Sequence, residues 1–301
     1  MAAAETAARA AGERPCAPSS PMPTMDSQRP AGAVSAAMET PASAMTPHIL
    51  LLGGTGDARA LATRLAPRAD IRVTLSLAGR TENPAPQPVP VRVGGFGGPA
   101  GLEDYLKAEG IAAVIDATHP YAARMSFNTA LACASAGVPL LALRRAPWQP
   151  QPGDRWREVA DVPAAVGALG EVPRRVFLAL GRNEVRAFEA APQHVYLVRS
   201  VDPVTPPLNV PQAEYVLGRG PFGEAEDHAL LKAQGIDTIV AKNSGGSATY
   251  GKMAAARALG IEVILIARPP VPDVTAVERP ADAEAWLDGI LSHGAGAERG
   301  A

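Results

Sequence analysis

The apolar run Ile49-Leu50-Leu51-Leu52 stops abruptly on Gly53-Gly54-Thr55-Gly56, and a helical pattern begins at once with Asp57-Ala58-Arg59. Four apolar residues suit a strand buried on both faces, while Ala58, Leu61, Ala62 and Leu65 recur at helical spacing. A strand, a glycine turn and a helix in that order constrain the chain to an open α/β arrangement. Glycines at such a turn remove the Cβ atoms that would keep a ligand off the backbone, and the first N–H groups of the helix favour an anion. Nucleotide phosphates are held in this way in parallel sheets. The spacing is not Gly-x-Gly-x-x-Gly, because Arg59 stands at the third glycine position counted from Gly54. The turn alone therefore also fits a tight strand-to-helix connection without a ligand.

A chain of 301 residues is long enough for two domains, each with its own core. The formal net charge of -2 gives no basic excess for nucleic acid and no acidic tail for a charged partner. Cys16 and Cys133 do not make a disulfide framework, which fits a reducing cytoplasm. No run approaches the roughly 18 apolar residues of a membrane span, so a soluble protein is expected. Residues 1–46 are rich in Ala, Pro, Ser, Thr and Met without periodicity and read as a disordered leader. Glu5, Glu13, Asp26 and Glu39 argue against a transit peptide, and translation starting at Met38 or Met45 would make much of the segment an artefact.

Residues 47–147 read as a first domain in which strands alternate with helices. Strands are predicted at 49–52, 71–75, 90–93, 112–116 and 139–143, and helices at 56–66, 100–109 and 121–136. This pattern predicts a parallel sheet with helices on both faces and ligands at the carboxyl ends of the strands. After the second strand, Ser76-Leu77-Ala78-Gly79-Arg80-Thr81 lacks the acid that would accept from an NAD ribose. A hydroxyl and an arginine suit the extra phosphate of NADPH, although Arg80 also fits an ordinary surface charge. Gly94-Gly95-Phe96-Gly97-Gly98 ends the third strand, where backbone could pass close to a flat cofactor or substrate or simply form a loop. Asp116-Ala117-Thr118-His119-Pro120-Tyr121-Ala122 ends the fourth, with Pro120 suited to the first turn of a helix. Thr118 and His119 should project at the ligand edge, while Asp116 could brace the turn.

A linker around Trp148–Arg157 marks the boundary to a second α/β domain, 148–293, followed by a flexible tail at 294–301. Strands are predicted at 176–180, 195–199, 215–217, 238–242 and 262–267, with helices ending near Gln234, at 247–259 and near 281–292. No Cys or His pair has zinc spacing, and Asn243-Ser244-Gly245-Gly246 is not a nucleophile elbow. Arg182, Arg199, Arg219 and Lys242 stand at strand ends, and Lys252 lies just past the glycine loop. Converging on one edge, such cations would bind a substrate with several carboxylates. Taken singly, each also fits a solvated surface charge.

Together these motifs resemble the precorrin-6A reductase family of cobalamin biosynthesis. The resemblance covers nearly all of 48–270 and rests on Leu-Leu-Gly-Gly-Thr-Gly-Asp-Ala-Arg at 51–59, Ser-Leu-Ala-Gly-Arg at 76–80 and Gly-Gly-Phe-Gly-Gly at 94–98. It continues through Asp-Ala-Thr-His-Pro-Tyr-Ala at 116–122, Gly-Arg at 181–182, Gly-Pro-Phe at 220–222 and Ala-Lys-Asn-Ser-Gly-Gly at 241–246. It implies two Rossmann-like domains of mainly parallel sheet with the active site in the cleft between them. It also implies a cytoplasmic oxidoreductase that uses NADPH to reduce one carbon–carbon double bond of the tetrapyrrole precorrin-6A, giving precorrin-6B. On this basis Gly53, Gly54, Thr55, Gly56 and Asp57 are expected to hold the pyrophosphate, and Ser76 and Arg80 the 2′-phosphate. Gly95, Phe96, Thr118 and His119 would position the nicotinamide. Arg182, Arg199, Arg219, Asn243, Ser244, Gly245 and Lys252 are the expected substrate contacts, with Lys242 assisting charge or proton transfer and no metal involved. Transient contact with neighbouring enzymes of the pathway is a further expectation.

The alternatives are a cobalt-precorrin-6A reductase, another NADP-dependent reductase or epimerase, and a non-catalytic NADP-sensing module. A Tyr-x-x-x-Lys pair would favour the second and is absent after the first nucleotide unit. The module would leave the cations of the second half unexplained.

Overall fold

The computed structural model describes residues 46–79 and 85–297. The expected leader therefore lies outside the described residues except at Thr46, as do Arg80 and residues 298–301. The first half runs β1 (His48–Leu52), α1 (Gly56–Leu65), β2 (Arg72–Leu77), β3 (Val91–Val93), α2 (Pro99–Ala108), β4 (Ile111–Asp116), α3 (Ala123–Ala136) and β5 (Leu140–Leu143). The second runs β6 (Trp156–Val159), α4 (Val162–Leu169), β7 (Arg175–Ala179), a 3-10 turn (Val185–Ala190), β8 (Val195–Ser200), β9 (Ala213–Leu217), α5 (Glu224–Ala233), β10 (Thr238–Lys242), α6 (Gly251–Leu259) and β11 (Glu262–Ile266). Last come β12 (Ala276–Val277) and α7 (Pro280–Ala297).

All five residues of β1 are buried, as a continuous apolar strand in the middle of a parallel sheet must be. Two six-stranded sheets form, in the orders β3-β2-β1-β4-β5-β12 and β9-β8-β7-β10-β11-β6. Every strand pair is parallel. Both orders are that of a doubly wound, Rossmann-like sheet, in which ligands bind beyond the carboxyl ends where the winding reverses.

The sixth strand of the first sheet comes from the far end of the chain. β6 pairs with β11, and β12 returns from the end of the second half to pair with β5. α7 follows β12 home. Its Ala283 and Leu287 are fully buried in one cluster with Leu61, Leu65 and Leu141 of the first half. A buried leucine contributes about 1.5–3 kcal/mol, so α7 anchors the returning strand. Arg64–Glu284 at 2.6 Å and Arg68–Asp288 at 2.5 Å border the contact.

This corrects the sequence-based boundaries in three places. Residues 276–297 do not belong with 148–275 in a second domain, because their strand and apolar face complete the first sheet and its core. The helix also continues into the segment expected to be a flexible tail, as far as Ala297. Finally, the stretch 148–157 is not a loose linker. Trp148 is buried, its main-chain N–H donates to Asn243 Oδ1 at 2.7 Å, and its indole N–H donates to the Gly246 carbonyl at 2.7 Å.

Candidate active site

At the end of β1 the Gly53 N–H donates to the Ser76 carbonyl at 2.9 Å, so the turn is fastened to the end of β2. Gly53 has no room for a side chain, since a Cβ would meet Leu75 Cδ1 at 2.5 Å. Gly54 sits at φ +107°, a conformation open to glycine, and a Cβ on it or on Gly56 would meet nothing within 4 Å. The hydroxyl of Thr55 accepts from the Ala58 N–H at 3.1 Å and donates to the Ala117 carbonyl at 2.8 Å. Thr55 therefore caps α1 and ties the turn to the end of β4, leaving main-chain N–H groups of the first turn able to accept an anion. Asp57, half-buried in that turn, is neutralised by Arg145, whose Nη1 lies 2.7 Å from its carboxylate.

Ser76 is buried at the end of β2, and Arg92 on β3 points a guanidinium nitrogen at its hydroxyl, 3.4 Å away. The same guanidinium donates to the Gly94 and Gly95 carbonyls, each at 2.7 Å, and stacks 3.8 Å from the Phe96 ring centroid. Phe96 thus has one face covered by Arg92 and an edge-to-face contact with Tyr105. Beyond Gly95, a Cβ at Gly97 or Gly98 would again meet open space.

At the end of β4, Asp116 accepts from the Thr118 N–H at 3.1 Å, from the Thr118 hydroxyl at 2.7 Å and from the Ser126 hydroxyl at 2.5 Å. It braces the turn, and Thr118 is held by it. His119 Nδ1 accepts from the Tyr121 N–H at 3.3 Å, which leaves the ring proton on Nε2. Burial, reinforced by Lys242, Arg145 and Arg268, lowers the His119 pKa to about 4. The imidazole is neutral near pH 7 and offers one N–H.

The carboxyl ends of the second sheet meet this edge. Lys242 ends β10, with its ammonium 2.5 Å from Glu184 and 4.8 Å from the centroid of the Tyr121 ring. Tyr121 donates its hydroxyl proton to the Ile266 carbonyl and accepts from the Asn243 N–H at 2.8 Å. Arg145 donates to the Ser244 carbonyl at 2.8 Å, and Arg268 to the carbonyls of Asn243 and Arg145, each at 2.8 Å. Arg182 lines an open cavity of about 340 Å³ with Asn183, Arg186, Pro203, Val204 and Thr205. Arg219 is exposed just beyond β9.

Four of the expected substrate contacts are engaged within the protein itself. Arg199 turns inward, pairs with buried Asp227 and stacks 3.8 Å from the Phe222 ring. Lys252 is buried, donates to the Thr249 carbonyl at 2.6 Å and lies 4.8 Å from the Trp148 ring. Asn243 is buried, and its carboxamide is spent on both main-chain groups of Trp148. Gly245, at φ +69°, is a packing glycine, because a Cβ there would stand 2.2 Å from the Ala146 carbonyl oxygen. The loop 243–246 interlocks with the chain leaving β5, with Ser244 half-buried beside it. Sequence reasoning missed Arg92, Tyr121, Arg145, Glu184 and Arg268. Arg145 and Arg268 each stand two residues past a strand, so the strand-end rule applied to the second half would have found both.

The glycine turn thus fits a dinucleotide: it has open space, a helix N-terminus and a carboxylate already neutralised. Among the described residues no helix is long and apolar enough to cross a membrane.

A family model described as precorrin-6x reductase CbiJ/CobK matches residues 48–288. A precorrin-6A reductase of Sinorhizobium sp. is 59% identical over 231 residues, spanning 77% of this chain and 88% of its own. Another, of Rhodobacter capsulatus, is 51% identical over 248 residues, spanning 82% and 97%. A solved structure of CobK precorrin-6A reductase matches with a TM-score of 0.78 at 50% identity, over 81% of this chain and 97% of that one. Motif order, sheet topology and relatives agree: this chain belongs to the precorrin-6x reductase CbiJ/CobK family.

Proposed function

We propose that this chain reduces one carbon–carbon double bond of precorrin-6A with NADPH, giving precorrin-6B. The observation that carries the reading is the meeting of the two sheet edges. Lys242, from the second sheet, lies 4.8 Å over the ring of Tyr121, which follows Thr118 and His119 in the first. Residues suited to the cofactor and residues suited to the substrate therefore share one edge.

The α1 N-terminus and the turn Gly53–Asp57 would hold the pyrophosphate, with Arg145 offsetting the Asp57 charge. Ser76 and Arg92 would meet the 2′-phosphate, together with Arg80, which lies outside the described residues. Gly95, Phe96, Thr118 and neutral His119 would orient the nicotinamide end, His119 through its Nε2–H. When bound, the reduced nicotinamide supplies the hydride. Lys242 holds a proton at Nζ beside Glu184 and would deliver it, or steady the charge, at the carbon next to the one reduced. Arg182, Arg219 and Ser244 would meet the substrate's carboxylates. We place the reaction in the cytoplasm, with transient contact to the enzymes that supply and consume the macrocycle.

The test is anaerobic oxidation of NADPH, and separately NADH, by the purified protein with precorrin-6A, followed by near-ultraviolet absorbance and mass analysis of the pigment. A gain of two hydrogens coupled to NADPH loss is expected. Turnover of only the cobalt-loaded macrocycle would move the assignment to that substrate, and NADPH binding without turnover of either would leave a sensing module.

A further inference from the structure

We propose that Tyr121 is a positioning residue: a phenol carried by the half with the glycine turn sets where Lys242, carried by the other half, stands. The inference rests on the role just given to Lys242.

β10 and β11 pair in register as far as Lys242 opposite Ile266, where the ladder ends. Just past that pair the Asn243 N–H donates to the Ile266 carbonyl at 3.2 Å, and Tyr121 joins the same two groups from outside the sheet. Its hydroxyl donates to the Ile266 carbonyl and accepts from the N–H of Asn243, the residue directly after Lys242. Its ring lies 4.8 Å from the ammonium, and Glu184 meets the same ammonium at 2.5 Å. The charge of Lys242 is thus held between an aromatic face from one half and a carboxylate from the other.

The phenol does not itself suit proton delivery. Its one proton is committed to Ile266, and burial pushes its pKa up to about 12. Nor is it needed to hold the halves together. The crossing strand β12, the Arg145–Asp57 pair and the bonds from Arg268 to the carbonyls of Asn243 and Arg145 all remain without it. What the hydroxyl adds is a second acceptor for the N–H of the first residue past Lys242, which also donates to the Ile266 carbonyl at 3.2 Å, and small displacements of a reacting group are costly in rate.

The test is a double-mutant cycle of Tyr121→Phe and Lys242→Ala, read as kcat and KM for both reactants. Tyr121→Phe should lower kcat about tenfold or more while the KM for NADPH changes less than about twofold. In the Lys242→Ala background it should lower kcat no further. An additive loss, or no loss from Tyr121→Phe while Lys242→Ala is impaired, overturns the positioning role and leaves the proposed reaction standing. An unimpaired Lys242→Ala enzyme overturns the role of Lys242 and this inference with it.

A second readout does not need turnover. The chain has four lysines, Lys107, Lys232, Lys242 and Lys252, so reductive ¹³C-methylation gives few signals, each assignable by Lys→Arg variants. The Lys242 signal should be displaced by the Tyr121 ring in the wild type and lose that displacement in Tyr121→Leu. A Lys242 signal identical in both proteins overturns the proposal.

Discussion

Arg145 Nη1 lies 2.7 Å from the carboxylate of Asp57, while the Nε of the same guanidinium donates to the Ser244 carbonyl at 2.8 Å. One side chain therefore joins the glycine turn of the first sheet to the loop after β10 in the second. Without it, Asp57 would stand uncompensated in the helix turn assigned to a pyrophosphate. Arg145→Met should raise the Kd for NADPH about tenfold, corresponding to about 1.4 kcal/mol. Adding Asp57→Asn should recover part of the loss, as measured by calorimetric titration. A double variant as weak as Arg145→Met would show that charge compensation is not what Arg145 supplies.

Arg92 joins Ser76 to the Gly94–Phe96 segment by hydrogen bonds and by its stack on Phe96. Arg92→Met should raise the KM for NADPH and leave that for NADH nearly unchanged, narrowing the preference. Arg80→Ala should act in the same direction. Steady-state kinetics with both nucleotides decides the point, and an equal rise for both would make Arg92 a brace for the loop alone.

His119 has a folded pKa lowered to about 4 from 6.5, so between those values the unfolded chain takes up the proton first. Its contribution to stability is complete above about pH 6.5 and is lost as the pH falls towards 4. Burial also lowers His48 and His194, which act in the same direction. In urea titrations, His119→Asn should flatten this part of the stability profile, and an unchanged slope would count against a buried neutral imidazole.

Lys252 is buried, and burial together with nearby Arg199 lowers its pKa to about 7 from 10.5. Between these values the unfolded chain again binds more protons, so stability should rise with pH from 7 towards 10.5. Lys252→Met should raise Tm at pH 7, remove that rise and leave the KM for the tetrapyrrole unchanged. A large increase in that KM would return Lys252 to the substrate site.

The sequence by itself determined the local elements and which turns stand at the first sheet's edge. Strand, glycine turn and helix at 48–65 are written in apolar spacing over a few residues, and so were the Asp116–Tyr121 turn and most strands of both halves. Such signals are legible because burial on both faces and the first helical turn impose their patterns locally. Only the tertiary structure decided that β12 crosses back to the first sheet, since a short strand can fill any open edge. The choice was made by Ala283 and Leu287, which find their core beside α1. It also decided the direction of each strand-end cation. Arg199 and Lys242 look alike in sequence, yet one turns inward to Asp227 and the other meets Glu184 and the Tyr121 ring at the edge. A charge pattern records where a side chain starts, whereas the partner it reaches depends on chain folded against it from tens of residues away.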